Sequence, residues 1–582
     1  MPTVPHTLSL VAAVIVAGPL MAAPNVIILL TDDNGYGDLG CHGHPFLKTP
    51  NLDRLHDQSV RLTDFHVAPM CTPTRGQLLT GMDALRNGAS SVSAGQTAIR
   101  RGIPTLADAF AAGGYRCGHF GKWHLGDAAP HLPQHRGFHE AVYHLGWGIT
   151  ALSDTWENDL FDGRFFHNGV LRRYPGYCTD VFFDEAMAWM QKCQAEGKPF
   201  LCYIAPNAPH TPHWVPAKYK EPYMGQPAPA FFGMMANIDE NVGRLDAFLK
   251  ARGLIDDTIV LYMNDNGATA GQPVYNAGMR AGKATYYEGG HRAAFFLRWP
   301  NGKLPRSYAL DTLAEVQDVM PTLLDFCGVP TPANARFDGI SLARPLRGQV
   351  AGLTDRMLVV QYGDQPGANG RKLEKYHCCV MWRKWRLVEG TELYELTDDP
   401  GQAVNVASKH PDVVKRLRDH YETWWTGIAP GVHDIEPVSV GRTDANPATL
   451  TSADWARVEC DDAYQLRAGH RANGVWHLLV EREGEYEIEL RRWPQGANAA
   501  LAGGVPAFQA RDGQLPAGKA LPVAKVRLKL AGFDATTPVT ATDKGATFTT
   551  TLQAGRTTMQ SWLLDAAGEE LAGAYFAYVR RK

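Results

Sequence analysis

Three uninterrupted apolar runs constrain the fold of this chain more than any other feature. They are Asn25-Val26-Ile27-Ile28-Leu29-Leu30, Phe200-Leu201-Cys202-Tyr203-Ile204 and Thr258-Ile259-Val260-Leu261-Tyr262-Met263. None alternates apolar with polar, so as strands they must be covered on both faces, which is the habit of parallel strands. Helical stretches such as Thr105–Ala112 and Phe232–Arg252 lie between them, and alternating strands and helices imply an α/β sheet. Each run breaks into polar residues: Thr31-Asp32-Asp33-Asn34-Gly35, Asn207-Ala208-Pro209-His210 and Asn264-Asp265-Asn266-Gly267. Ligands of such sheets bind beyond the carboxyl ends of the strands, so the three endings are expected to meet at one edge.

A chain of 582 residues is too long for one domain. Residues 8–18 are apolar but too short to span a membrane, and small residues follow at Ala22-Ala23. This predicts a signal peptide over 1–23, export to the periplasm or outside the cell, and no integral membrane segment in the mature chain. Residues 24–339 then form the α/β unit. Over 340–436, short strands are expected within Tyr376–Arg386 and at Glu392-Leu393-Tyr394-Glu395-Leu396. Beyond 437, Trp476, Leu478 and Val480 alternate with polar neighbours, as do Tyr486, Ile488 and Leu490, and Val526, Leu528 and Leu530. Period-two runs separated by turns predict a β-sandwich over 437–582. A net charge of −3 gives no reason to expect nucleic acid as a partner. The ten scattered cysteines do not make a disulfide framework.

One cysteine stands apart. In Cys71-Thr72-Pro73-Thr74-Arg75-Gly76-Gln77-Leu78-Leu79-Thr80-Gly81, proline suits the first turn of a helix, and a helix start favours anions. Cys71, with Arg75 one turn on, therefore belongs to an anion site rather than to a core. The same setting is open to a thiolate nucleophile. Asp32, Asp33, Asp265 and Asn266 offer three carboxylates and an amide oxygen, a hard donor set of the kind calcium or magnesium prefers. Gly121-Lys122-Trp123-His124-Leu125-Gly126 places a cation and an imidazole two residues apart, on one face if the segment is extended. Further candidates follow in Pro209-His210-Thr211-Pro212-His213, in Lys283, and in Glu288-Gly289-Gly290-His291-Arg292.

These segments, in this order over residues 24–435, resemble the type I, formylglycine-dependent sulfatases of the alkaline phosphatase superfamily. Cys-x-Pro-x-Arg at 71–75 resembles their modification sequence, and Leu393-Tyr394-Glu395-Leu396 with Asp399-Pro400 resembles the signature of their small C-terminal sheet. The resemblance implies a large mixed, mostly parallel sheet flanked by helices, a small C-terminal sheet subdomain and here an added β-sandwich. It implies hydrolysis of sulfate esters, with a sulfated saccharide as substrate. Cys71 would be oxidised to formylglycine (3-oxoalanine) by a formylglycine-generating enzyme, the maturation partner. Asp32, Asp33, Asp265, Asn266 and an oxygen of modified Cys71 would hold Ca2+, with Mg2+ as second choice. Lys122 and Lys283 would grip sulfate, and Arg75 would complete the catalytic group. His124 would take a proton from the formylglycine hydrate, and a near-neutral His210 would protonate the leaving oxygen. Trp147, His213 and His291 are the expected substrate contacts, and Glu288 and Arg292 are expected to be structural. Two other readings use the same chain: a phosphodiesterase or phosphonate monoester hydrolase of the superfamily, and an inactive carbohydrate-binding relative.

Overall fold

The structure is a computed structural model that describes residues 23–349, 355–364 and 372–582. The expected leader, apart from Ala23, lies outside the described residues. The main sheet has ten strands. They are β1 (Asn25–Thr31), β2 (Val60–His66), β3 (Arg116–Lys122), β4 (Glu140–His144), β5 (Arg164–His167), β6 (Val170–Arg173), β7 (Phe200–Ala205), β8 (Thr258–Asn264), β9 (Phe295–Arg298) and β10 (Tyr308–Glu315). Their order is β10-β2-β9-β8-β1-β7-β3-β4-β5-β6. β1 lies between β7 and β8 and parallel to both, and only β9 and β5 run against the rest.

The apolar runs occupy the middle of this sheet because both of its faces are covered. Val26, Ile28 and Leu30 enter one core while Ile27 and Leu29 enter the other. Leu201 and Tyr203 divide from Cys202 and Ile204 in the same way, as do Ile259 and Leu261 from Val260 and Tyr262. Each such buried aliphatic side chain contributes about 1.5–3 kcal/mol, which ties these three strands most firmly to the centre. The helix Leu106–Ala112, capped by Thr105, packs on the first face. The helix Pro229–Ala251 covers the second through Phe232, Met235, Ile238, Val242 and Leu245.

A four-stranded antiparallel sheet follows: Met357–Val360, Cys379–Trp382, Trp385–Val388 and Glu392–Glu395. The expected strand region 376–386 is here a hairpin, because the chain reverses at Arg383, whose φ of 53° is left-handed. Beside a separate two-stranded ribbon, Phe508–Gln509 and Gln514–Leu515, residues 437–582 form two larger sheets around one shared core. Trp476, Leu478, Val480, Tyr486, Ile488, Leu490, Val526, Leu528 and Leu530 all point into it, as their alternation requires. Among the described residues no helix is long and apolar enough to cross a membrane.

Candidate active site

The carboxyl edge of the main sheet gathers the candidates. β1 and β8 run in register, with Thr31 opposite Asn264, so Asp32-Asp33 and Asp265-Asn266 leave the sheet side by side. Asp33 N–H donates to Asp265 Oδ1 at 3.2 Å, and Asn266 Nδ2 donates to Asp33 Oδ1 at 3.0 Å. Asp33 has φ 72°, a left-handed conformation that aspartate adopts more readily than most residues. Asp32 Oδ1 and Asn266 Oδ1 are buried and accept no hydrogen bond among the described residues. Ligand atoms of Asp32, Asp265 and Cys71 all lie within 4.8 Å of one another. Buried oxygens without a donor are costly. Hard oxygens left unclaimed beside further carboxylates fit a divalent cation such as Ca2+ or Mg2+.

Cys71 opens a helix, Cys71–Thr80, whose ten residues are all buried. Burial raises the thiol above its ordinary value while Lys122 and Lys283 pull it down less strongly. That burial favours the thiol over the thiolate that a cysteine hydrolase uses. Its Sγ lies 3.5 Å from His124 Nδ1. His124 Nε2 lies 2.8 Å from the carbonyl of Val92, which can only accept, so Nε2 carries the hydrogen and Nδ1 presents its lone pair to position 71. Burial, then Lys122, also keeps this imidazole neutral.

His124 reaches that position by a turn, not by extension. β3 ends at Lys122, and His124 has φ 53°, with its carbonyl held by Thr72 Oγ1 at 3.0 Å. Gly121 is required just before: a Cβ there would lie 2.0 Å from the Ala205 carbonyl oxygen of β7.

The cations face the carboxylates. Lys122 Nζ is 2.7 Å from Asp32 Oδ2, and Lys283 Nζ pairs with Asp33. Burial alone would raise Asp33, but Lys283, His210 and Lys122 hold it well below the usual carboxylate range. Asp265 is pushed up to about 7 by burial and by Asp32. Arg75 corrects one expectation. It is fully buried, with Nη2 2.9 Å from Asp265 Oδ2 and 3.6 Å from Asp32 Oδ1, and Nη1 donates to the Lys122 carbonyl at 3.0 Å. It is the counter-ion beneath the carboxylates rather than a wall of the anion pocket.

His210 closes the opposite side, with Nε2 3.5 Å from Asp33 Oδ2 and Nδ1 2.8 Å from the Thr211 carbonyl. Its expected near-neutral titration is not found. Burial lowers it to about 3, helped by Lys122 and Lys283 and opposed by Asp33. The half-buried Trp147 lies against its ring, centroids 5.2 Å apart. His213 is half-buried, edge-on to Phe231 at 5.7 Å. His291 departs from its expected role as a substrate contact. It is fully buried, and its ring nitrogens go to His66 Nδ1 at 2.9 Å and the Tyr286 carbonyl at 3.2 Å. Glu288 and Arg292 pair with each other at 3.2 Å, and Glu288 also pairs with buried Arg386, as structural residues would.

The sequence reading missed Val92, Thr72, Arg386 and Asp461. Val92 acts on His124, and Asp461 on the indole N–H of Trp147 at 3.1 Å, through backbone carbonyls, which any residue carries. Thr72 acts through a hydroxyl indistinguishable from dozens of others, and Arg386 through a contact between units far apart in the chain.

Comparison with known proteins agrees with this geometry. The sulfatase family profile matches residues 24–329, more than half of the chain. Human arylsulfatase A is 30% identical over 471 residues, covering 71% of this chain and 89% of that protein. N-acetylgalactosamine-6-sulfatase of Canis lupus familiaris is 30% identical over 418 residues, covering 66% and 77%. The fold also matches the crystal structure of Ps i-CgsB in complex with k-i-k-neocarrahexaose, at a TM-score of 0.62 and 23% identity, over 69% of this chain and 92% of that one. The chain belongs to the sulfatase family.

Proposed function

We propose that this sulfatase is an exported enzyme that removes O-sulfate from a carbohydrate, using a formylglycine made from Cys71 and a divalent cation, Ca2+ rather than Mg2+. The observation that carries the reading is the pairing of position 71 with a neutral His124 Nδ1 at 3.5 Å, beside the two unclaimed oxygens of Asp32 and Asn266. A saccharide substrate is supported by the similarity to an N-acetylgalactosamine-6-sulfatase and to a structure solved with a carrageenan hexaose. Export rests on the leader over 1–23. We read 24–339 as the catalytic unit, 340–436 as its small subdomain and 437–582 as an accessory domain. Maturation requires a formylglycine-generating enzyme.

Asp32, Asp33, Asp265 and Asn266 would hold the cation, which supplies positive charge to polarise the sulfate and favour an ionised nucleophile. A formylglycine at position 71 would, when hydrated, supply one hydroxyl as nucleophile toward sulfur and a second hydroxyl with a removable proton. The remaining work belongs to this chain's side chains. Lys122 and Lys283 face the reacting oxygens and offset charge built up there. His210 Nδ1–H goes to the Thr211 carbonyl, so the ring gives a proton from Nε2 to the leaving alcohol oxygen as the imidazolium. The bound sulfate's negative charge opposes the two lysines that depress this histidine. His124 Nδ1 takes the proton from the second hydroxyl, and its Nε2–H bond to Val92 keeps it in the accepting tautomer.

The test is the mass of the tryptic peptide Leu62–Arg75 from protein made with a maturing enzyme. Sulfur replaced by aldehyde oxygen at Cys71 is the expected result. An unchanged thiol despite a competent maturase refutes the reading.

A further inference from the structure

The C-terminal sheets meet the catalytic unit at several places, among them Arg467 with Glu157 and Asp512 with Lys220, and one short segment among these contacts backs both active-site histidines. Ala453 accepts a backbone bond from Gly95 at 3.1 Å, and Arg457 N–H donates to Ala94 O at 3.1 Å. Three residues upstream of Gly95 is Val92, whose carbonyl fixes the tautomer of His124. On the other side, the Asp461 carbonyl accepts from Leu152 N–H at 2.7 Å and from Trp147 Nε1–H at 3.1 Å. Ala463 N–H donates to Thr150 O at 3.2 Å. Trp147, tied in this way, rests its ring on His210. Residues 453–463 therefore pin two loops, 92–95 and 147–152, and each loop holds one imidazole.

We propose that the C-terminal β-domain is a working part of the active site. Trp147 and the segment Ala453–Ala463 are positioning elements that hold His210, and through Val92 His124, in place for proton transfer. This rests on the roles proposed above for the two histidines. Misplacing a proton donor by about an ångström can cost on the order of 10²-fold, so a bond that fixes one ring has leverage out of proportion to its size. Two other features fit. Asp461 is buried, as a rigid anchor should be, and its one carbonyl serves two donors. Leu152 packs into the core of the C-terminal sheets, so the 147–152 loop is held by apolar contact as well as by its bonds.

Two substitutions test this in the full-length, matured enzyme. Trp147→Phe keeps an aromatic ring beside His210 but lacks the N–H that Asp461 holds. Ala463→Pro deletes the N–H given to Thr150. Ala463 is the first residue of the helix Ala463–Ala468, where proline is tolerated, and Asp462 before it is extended at φ −115°, ψ 136°, as a residue preceding proline must be. The substrates are phenyl sulfate, whose leaving group needs a proton, and 4-nitrophenyl sulfate, whose leaving group scarcely does. The expected result is a fall in kcat of about tenfold or more on phenyl sulfate, a much smaller fall on 4-nitrophenyl sulfate, and little change in KM. Equal falls on both esters, or none, overturn the proposal. Hydrogen exchange gives a second reading that needs no turnover. Ala463→Pro should speed exchange in peptides spanning Trp147 and His210, and a change confined to peptides around residue 463 overturns the proposal. His210→Ala separates the two levels of argument. If that variant loses equally on both esters, His210 is not the proton donor and the proposed mechanism fails. If it shows the expected bias but Trp147→Phe behaves as wild type, only the positioning claim fails.

Discussion

Replacing Arg386 with methionine should destabilise the enzyme far more than a single contact suggests. Arg386 is fully buried and joins the small sheet to the catalytic unit. Its Nε is 2.7 Å from Glu288 Oε1, its Nη2 is 2.7 Å from Asp64 Oδ1, and its Nη1 donates to the Arg383 carbonyl at 2.7 Å. Methionine fills much of the volume but leaves two buried carboxylates without their chief cation. Removing one partner of a buried pair costs about 3–5 kcal/mol, and because both pairs share one guanidinium the two losses are not summed. Arg292 for Glu288, and His66 and Lys384 for Asp64, limit the loss without cancelling it. Burial would raise Glu288 and Asp64, but Arg386 leads the charges that hold both well below the usual carboxylate range. In the wild type they therefore add stability above the pH where unfolded carboxylates titrate, and that stability is lost only as pH falls through their lower folded values. In R386M the same groups titrate higher and take up protons at less acidic pH than in the wild type, which relieves the uncompensated charge. The deficit should therefore narrow in acid. Scanning calorimetry at several pH values reads this, with the transition of the catalytic unit moving down in R386M and E288Q/R386M recovering part of the loss. An unmoved transition in R386M, or a deficit that widens in acid, refutes the argument.

The other predictions concern the site directly. Cys71→Ser and Cys71→Ala should abolish multiple turnover of any sulfate ester, because neither side chain offers a second hydroxyl; normal steady-state rates in either variant would sink the mechanism. Asp32→Asn and Asn266→Ala should each weaken calcium binding at least about tenfold, since each alters a buried oxygen that lacks a donor. Elemental analysis of the purified full chain after dialysis at fixed free calcium checks this, and unchanged metal content argues against the proposed ligand set.

The fold was legible where local pattern and environment coincide. Val26–Leu30 could be read as a doubly covered strand because no polar residue interrupts it, and Val526, Leu528 and Leu530 because every second residue is polar. The site was legible because strand ends are local and the sheet alone brings them together. What could not be read depends on distant approach. His291 stands between Gly290 and Arg292 in a motif that borders the site, yet its ring points to His66 and away from it. The turn at Arg383 carries no glycine or proline to announce it. The depressed His210 follows first from burial and then from two lysines of other elements, neither of which spacing supplies. Thr74 gives its hydroxyl to the Ala68 carbonyl at 3.0 Å, a bond back to the segment before the helix that the motif does not announce.

Arg75 shows most clearly what the structure adds. Spacing places it one turn after Cys71, and a cation beside an anion site invites the role of sulfate ligand. The coordinates give its Nη groups to Asp265 and the Lys122 carbonyl, and its Nε to Asp265 at 3.3 Å. Within the site it balances Asp265 as Lys122 balances Asp32 and Lys283 balances Asp33. Each of the three carboxylates thus faces a cation of the protein's own. The lysines hold the carboxylates proposed to bind metal with the same ammonium groups proposed to face the substrate, whereas Arg75 lies wholly beneath. Arg75, one turn from the nucleophile in sequence, therefore acts on the substrate only through the carboxylates that it holds in place.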